Sequence, residues 1–247
     1  MEQIIQTKFG EAYNTPSGVF LKWPHKKEKV LAGVSAGWED PIVSVIKKVV
    51  KSRQSVIDIG ANFGTICIPV SRFSKRVYAF EPEPKIFGFL ERNIIINEIS
   101  NIQVYNVACY STQCCMGLDK NRKVGIRFTT KERLAVDYDR CSNISSITFV
   151  PKPDGAIQAV RVDDTPGLSG DDIGFIKVDA QGADFRALEG CVETIKRCRP
   201  HIIMEVEEKY MGRFGWALND ALTFFDALSY KHTAIGRRRH DYLFAPA

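Results

Sequence analysis

Asp58-Ile59-Gly60-Ala61-Asn62-Phe63-Gly64 carries the residue types that a nucleoside-containing ligand requires. Gly60 and Gly64 allow a tight turn and close approach of backbone to ligand. Asp58 accepts hydrogen bonds from loop or ligand donors, and the helix expected next points its free N–H groups at the same place. Glu81 follows ~20 residues on, where an acid chelates both hydroxyls of a ribose. Together they indicate an adenosine-containing ligand, against the plainer reading of a glycine-rich turn. Asn106, near the end of the third apolar segment, is a candidate for a polar contact to the base, with an ordinary sheet-edge Asn as the alternative. The glycine positions of G-x-G-x-x-G read Gly60, Asn62 and Thr65, so the pyrophosphate cradle of a dinucleotide such as NAD is incomplete. S-adenosylmethionine (SAM) has no phosphate and carries a sulfonium, an ammonium and a carboxylate. Asp58, the Asn62 amide and glycine backbone suit those groups better, so SAM is the predicted cofactor.

A second constellation lies further on. Asp179 follows one predicted strand and Glu205 lies within the next. Two acids at adjacent strand ends orient a hydroxyl and accept its proton as a methyl group leaves sulfur, which makes them the candidate catalytic residues. The competing reading has Asp179 capping its loop and Glu205 binding backbone or Lys177. Lys177 shares the sheet face of Asp179, where a buried ammonium needs an acid partner, and is read as structural. His201 and His232 receive no catalytic role. Arg237-Arg238-Arg239-His240 reads as a solvated charge run able to hold a phosphate. The seven cysteines include no C-x-x-C pair, so reduced, structural thiols and no metal site are expected.

These residues need a scaffold, and alternating strand and helix signals predict one: an α/β, doubly wound, mainly parallel, seven-stranded Rossmann-like sheet with a C-terminal antiparallel hairpin. Helical spacing is read over residues 40–51, 63–73, 84–97, 184–198 and 218–228, and strands over 55–58, 76–80, 102–108, 157–162, 174–179, 201–206, 230–235 and 242–245. Residues 1–38 form an N-terminal extension, in which Val19-Phe20-Leu21 is a candidate edge strand. Residues 39–247 form the domain, with an aperiodic insertion over 111–155. At 247 residues and 45% hydrophobic, the chain can bury one full core, which excludes a disordered class. A net charge of +5 permits an anionic partner without requiring one. Apolar runs fall far short of the ~20 residues that cross a bilayer, and Met1-Glu2-Gln3 opens no secretory signal, so a cytoplasmic protein is expected.

The spacing of Asp58, Gly60 and Gly64 resembles motif I of the class I methyltransferases. Ile176-Lys177-Val178-Asp179-Ala180-Gln181-Gly182-Ala183-Asp184, then Leu188-Glu189-Gly190, Pro200 and Glu205, is similar to the I-K-[ILV]-D-x-E-G-x-E…L-x-G…P…E pattern of the FkbM-type methyltransferases. Val160-Arg161-Val162-Asp163-Asp164 matches the run before it, and Asn143-Ile144-Ser145-Ser146 the family's Asn/Ser-rich insertion. The resemblance spans about residues 40–246 and implies SAM-dependent O-methylation of hydroxyls on sugars or natural products. Two positions depart from the pattern: Gln181 and Asp184 stand where the family has Glu. Two other readings accompany a small-molecule or glycan acceptor. A ribose 2′-O-methyltransferase on RNA is suggested by the basic balance, Lys177, Asp179 and Glu205, and a catalytically weakened SAM-binding partner subunit by Gln181. Acceptor choice is assigned to the insertion and the N-terminal extension.

Overall fold

A computed structural model describes residues 3–24, 39–119, 126–128, 134–136, 138, 146–235 and 241–247. In chain order, β1 (Gln3–Thr7), β2 (Gly10–Thr15) and β3 (Gly18–Leu21) precede α1 (Asp40–Val49), β4 (Ser55–Ile59), α2 (Cys67–Ser71), β5 (Val77–Phe80), α3 (Pro84–Ile96) and β6 (Ile102–Tyr105). Six short strands follow: β7 (Ala108–Cys109), β8 (Cys114–Leu118), β9 (Ile126–Phe128), β10 (Leu134–Val136), β11 (Phe149–Pro151) and β12 (Ile157–Val160). The last part holds β13 (Ile173–Val178), α4 (Asp184–Glu189), α5 (Val192–Cys198), β14 (His201–Glu205), α6 (Glu208–Met211), α7 (Leu218–Ala227), β15 (Tyr230–Ile235) and β16 (Asp241–Pro246).

The seven-stranded sheet has the order β15-β16-β14-β13-β4-β5-β6. It is parallel from β14 to β6, and β16 runs antiparallel to both β14 and β15. β4 and β13 are buried along their whole length, as strands covered on both faces must be. The two-residue side-chain period divides them between two cores. Val56 and Phe175 face Ile46, Ile68 and Leu90 of α1 to α3, whereas Ile57, Ile59, Ile176 and Val178 face Leu188, Ile195 and Phe225 of α4, α5 and α7. Strand order reverses between β4 and β13, and the crevice outside their carboxyl ends is where such sheets bind ligands.

Tertiary contacts alter several sequence expectations. The helix expected over 63–73 shrinks to α2, because Asn62 and Gly64 turn left-handed at φ of 51° and 91° and the regular turn begins only at Cys67. The helix expected over 184–198 breaks at Gly190, where a Cβ would lie 2.3 Å from the Tyr110 carbonyl oxygen. α5 restarts against the Asp163 carboxylate, which accepts the N–H groups of Glu193 at 2.9 Å and Thr194 at 3.0 Å. The third strand ends at Tyr105, and Ala108–Cys109 passes into a separate four-stranded sheet, β11-β8-β12-β7, in which β8 and β11 come from the insertion and β12 is the strand expected over 157–162. Val19-Phe20-Leu21 adds no edge to the large sheet. It belongs to the β1-β2-β3 meander, which docks on α3 through side-chain amides: Asn93 Oδ1 accepts from Leu21 N at 2.8 Å and Asn97 Oδ1 from Val19 N at 2.9 Å. Among the described residues no helix is long and apolar enough to cross a membrane.

Candidate active site

The loop after β4 is folded by its own backbone. Gly60 has φ +77° and lies so close to the neighbouring tip that a Cβ would sit 2.0 Å from the Asp179 carbonyl oxygen. The N–H groups of Gly60 and Ala61 both donate to Phe80 O at 2.9 Å, binding the β4 and β5 tips together. Asn62 N–H then donates to Glu81 Oε2 at 3.0 Å and Glu83 N–H to Glu81 Oε1 at 2.8 Å. Glu81 is thus held by main chain while each oxygen keeps a lone pair for a ligand. Burial pushes its carboxyl up to about 8, against the pull of the two N–H donors.

Gly60, Asn62 and Glu81 line one pocket, and three other expected cofactor residues do not. Asp58 is fully buried behind the loop, with Oδ1 3.7 Å from Lys177 Nζ, and burial raises its carboxyl above the ordinary value despite that ammonium. Gly64 makes room for packing, since a Cβ there would meet Ile68 Cδ1 at 2.8 Å and Leu90 Cδ1 at 2.9 Å. Asn106 donates its amide to the carbonyls of Glu81 at 2.8 Å and Pro82 at 3.2 Å, so it fixes the exit of β5 rather than reaching a base. The expected helix N-terminus is likewise replaced by loop backbone, because α2 starts beyond the pocket.

Acids dominate the other end. Asp179 follows β13, lines the pocket, and its N–H donates to Ile59 O at 3.0 Å. Lys177 Nζ is 3.7 Å from both Asp58 Oδ1 and Asp179 Oδ2 and donates to Gly60 O at 3.2 Å. Burial opposes its charge, but the carboxyls of Asp179, Asp58, Glu39 and Glu205 hold its pKa above the usual lysine value. Gln181, left-handed at φ 53°, aims its amide nitrogen at Asp179 Oδ1 at 2.8 Å and Glu205 Oε2 at 3.5 Å. Asp184 is the loop cap: its oxygens accept Ala180 N at 2.7 Å and Gly182 N at 2.9 Å, while burial and Asp179 push its carboxyl up to about 7. Burial, then Asp179 and Asp184, push Glu205 up to about 11, so it carries a proton at neutral pH. Oxygens of Asp179, Asp184 and Glu205 lie within 4.8 Å of one another, a grouping shaped like a cation cage into which Gln181 already directs an N–H.

Glu39, which sequence reading passed over, has its carboxyl raised to about 7 by burial, with the Lys177 charge opposing and those of Asp179, Asp58 and Asp241 adding to the rise. Its role depends on where α1 docks, and no local pattern marks that. The remaining pocket wall was equally unmarked: Met116, Ile147 and Phe149 come from the insertion and pack with Ala108 and Ile86. Arg237-Arg238-Arg239-His240 lies outside the described residues. The pocket encloses about 660 Å³ of space, part of it open to solvent. Bare backbone at Gly60, a carboxylate at the diol position and apolar walls fit an adenosine that carries a sulfonium and no phosphate.

The "Probable ribosomal RNA small subunit methyltransferase A" of Methanosphaera stadtmanae is 31% identical over 55 residues, 22% of this chain and 20% of that protein. Among solved structures, the methyltransferase FkbM from Methylobacillus flagellatus is 15% identical with a TM-score of 0.49, covering 87% of this chain and 54% of its own. The present chain therefore spans about half of that protein's length. A putative methyltransferase from Streptococcus mutans, solved in complex with SAH, is 11% identical with a TM-score of 0.45, covering 83% of this chain and 94% of its own. Residues 58–232, from the first glycine loop into the terminal hairpin, match the "Methyltransferase FkbM domain". The chain belongs to the FkbM methyltransferase family, and S-adenosylmethionine is its cofactor.

Proposed function

We propose that this protein methylates a hydroxyl group of a small-molecule or glycan-like acceptor, with Asp179 taking the hydroxyl proton. The observation that carries this reading is the Asp179 and Glu205 carboxyl pair beside the pocket, joined by the Gln181 amide. When bound, the cofactor supplies an electrophilic methyl group on a sulfonium. The chain's own residues supply alignment and a proton acceptor. Gly60 and Glu81 hold the donor's nucleoside, and the contact of Gly60 with Asp179 sets the distance between donor and acceptor ends. Asp179 Oδ2 lies 3.7 Å from the Lys177 ammonium, which holds the carboxyl in place to orient a hydroxyl. Glu205, protonated, shares its hydrogen with that carboxylate and keeps a second negative charge from accumulating.

The RNA reading has less support, because Lys177 is 7% exposed and engaged with two acids rather than facing a surface that a phosphate could reach. The weakened-subunit reading is opposed by the geometry of Gln181, which orders the two acids instead of displacing them. The test is transfer of labelled methyl from SAM to a library of sugar and metabolite hydroxyls, with RNA as a parallel substrate. Product is expected from the hydroxyl library, and Asp179→Asn should lower kcat by about 10²- to 10⁴-fold while S-adenosylhomocysteine (SAH) still binds. An Asp179→Asn variant as fast as the parent, or transfer to RNA alone, overturns the proposal.

A further inference from the structure

We propose that the insertion's small sheet is part of the cofactor site, with Met116, Ile147 and Phe149 forming the wall against the adenine base. This rests on the cofactor assignment above and gives the insertion a role other than acceptor choice. The three side chains border the same pocket as Glu81 and Asp179, and their packing shows which end they cover. Met116 clusters with Ala108 and Ala159, and Phe149 packs against that cluster. Ile147 belongs to the apolar cluster that includes Ile86 and Phe63. Ala108 and Ile86 lie just beyond the tips of β6 and β5. They are therefore on the far side of Glu81 from Asp179 and Gln181, where the base must lie if Glu81 holds the ribose.

The wall is fixed on both sides. Tyr138 donates its hydroxyl to Glu83, with Lys85 Nζ 4.1 Å from the Tyr138 ring centroid. On the opposite flank Arg213 donates to Asp119 Oδ2 at 2.6 Å, and Asp119 N–H bonds Thr148 O at 3.0 Å beside Ile147. The three wall residues bring a thioether, an aliphatic and an aromatic side chain and no charge. Such a surface suits a flat heteroaromatic base and offers no side-chain hydrogen-bond partner to the hydroxyls of an acceptor.

Calorimetry with SAH and with adenosine alone tests the assignment on the full chain. Phe149→Ala should weaken both ligands by the same factor, roughly tenfold, because the lost contact is to the base that they share. Phe149→Leu, which keeps apolar bulk, should weaken both by roughly threefold and decides the matter if the alanine variant loses its circular dichroism signature. Unchanged affinity for both ligands, or a loss for SAH without a loss for adenosine, overturns the proposal. A parent chain that binds neither ligand would instead refute the cofactor assignment.

Discussion

The two ends of the pocket are built on different principles. At the cofactor end, Gly60, Asn62, Glu81 and Glu83 are fastened to one another by main-chain N–H groups over a short stretch of chain. At the acid end, carboxyls from Glu39, Asp58, Asp179 and Glu205, four separate places in the sequence, act on the Lys177 ammonium, with Asp184 close to Asp179 and Glu205. Backbone geometry makes the first end rigid and intolerant of added atoms. Burial and charge balance govern the second: desolvation first, then repulsion among acids that outnumber the ammonium, raises several of the carboxyls. Binding is thus organised by shape and proton transfer by electrostatics, and the Gly60 contact with Asp179 joins the two.

That joint is the place to break both ends at once. Gly60→Ala places a Cβ 2.0 Å from the Asp179 carbonyl oxygen at a φ of +77°. It should abolish SAH binding in calorimetry and lower stability by about 4 kcal/mol or more in chemical unfolding. A variant that binds like the parent would show that the two ends are independent.

The next largest effect separates the ends. Accepting a ribose diol requires an ionised Glu81, whose carboxyl stands at about 8 in the free protein. Below that pH binding must expel a proton, so SAH affinity should rise about tenfold per pH unit up to about 8 and then level off. Glu81→Gln should flatten the profile, and a slope that survives the substitution would move the titration to the acid end.

Stability without cofactor should follow the opposite sign. Glu81, Asp184 and Glu39 have folded-state values raised to about 8, 7 and 7, so the folded state prefers their protonated forms. Their contribution is complete below the ordinary carboxyl values of 4.5 and 3.8 and is lost progressively as pH rises to about 7 to 8, while that of Glu205 falls over the same range and goes on falling above it. The unfolding temperature should therefore fall between pH ~5 and ~9, and less steeply in Glu81→Gln. A rise over that range would contradict the charge-balance account.

The smallest effect lies outside both ends. Asn97→Ala removes the acceptor of Val19 N and the donor to Val19 O and should cost about 1–2 kcal/mol in unfolding while leaving SAH affinity unchanged. A change in affinity would extend the pocket's support to the N-terminal meander.

Residue type and local order were enough to read the seven-stranded α/β sheet and the pocket positions of Gly60, Asn62 and Glu81, because turns, caps and strand periodicity depend on neighbours in the chain. Asp58, Gly64 and Asn106 belong to the same pattern yet support the pocket from behind. Residue type records that a conformation or a hydrogen bond is needed, and tertiary packing decides which way the side chain faces. Met116 and Phe149 look like any apolar strand residues until the small sheet is laid across the pocket. The raised carboxyl values of Glu205 and Glu39 likewise depend on distances between segments remote in sequence, since desolvation and Coulomb energy are properties of the packed interior and leave no mark on local spacing.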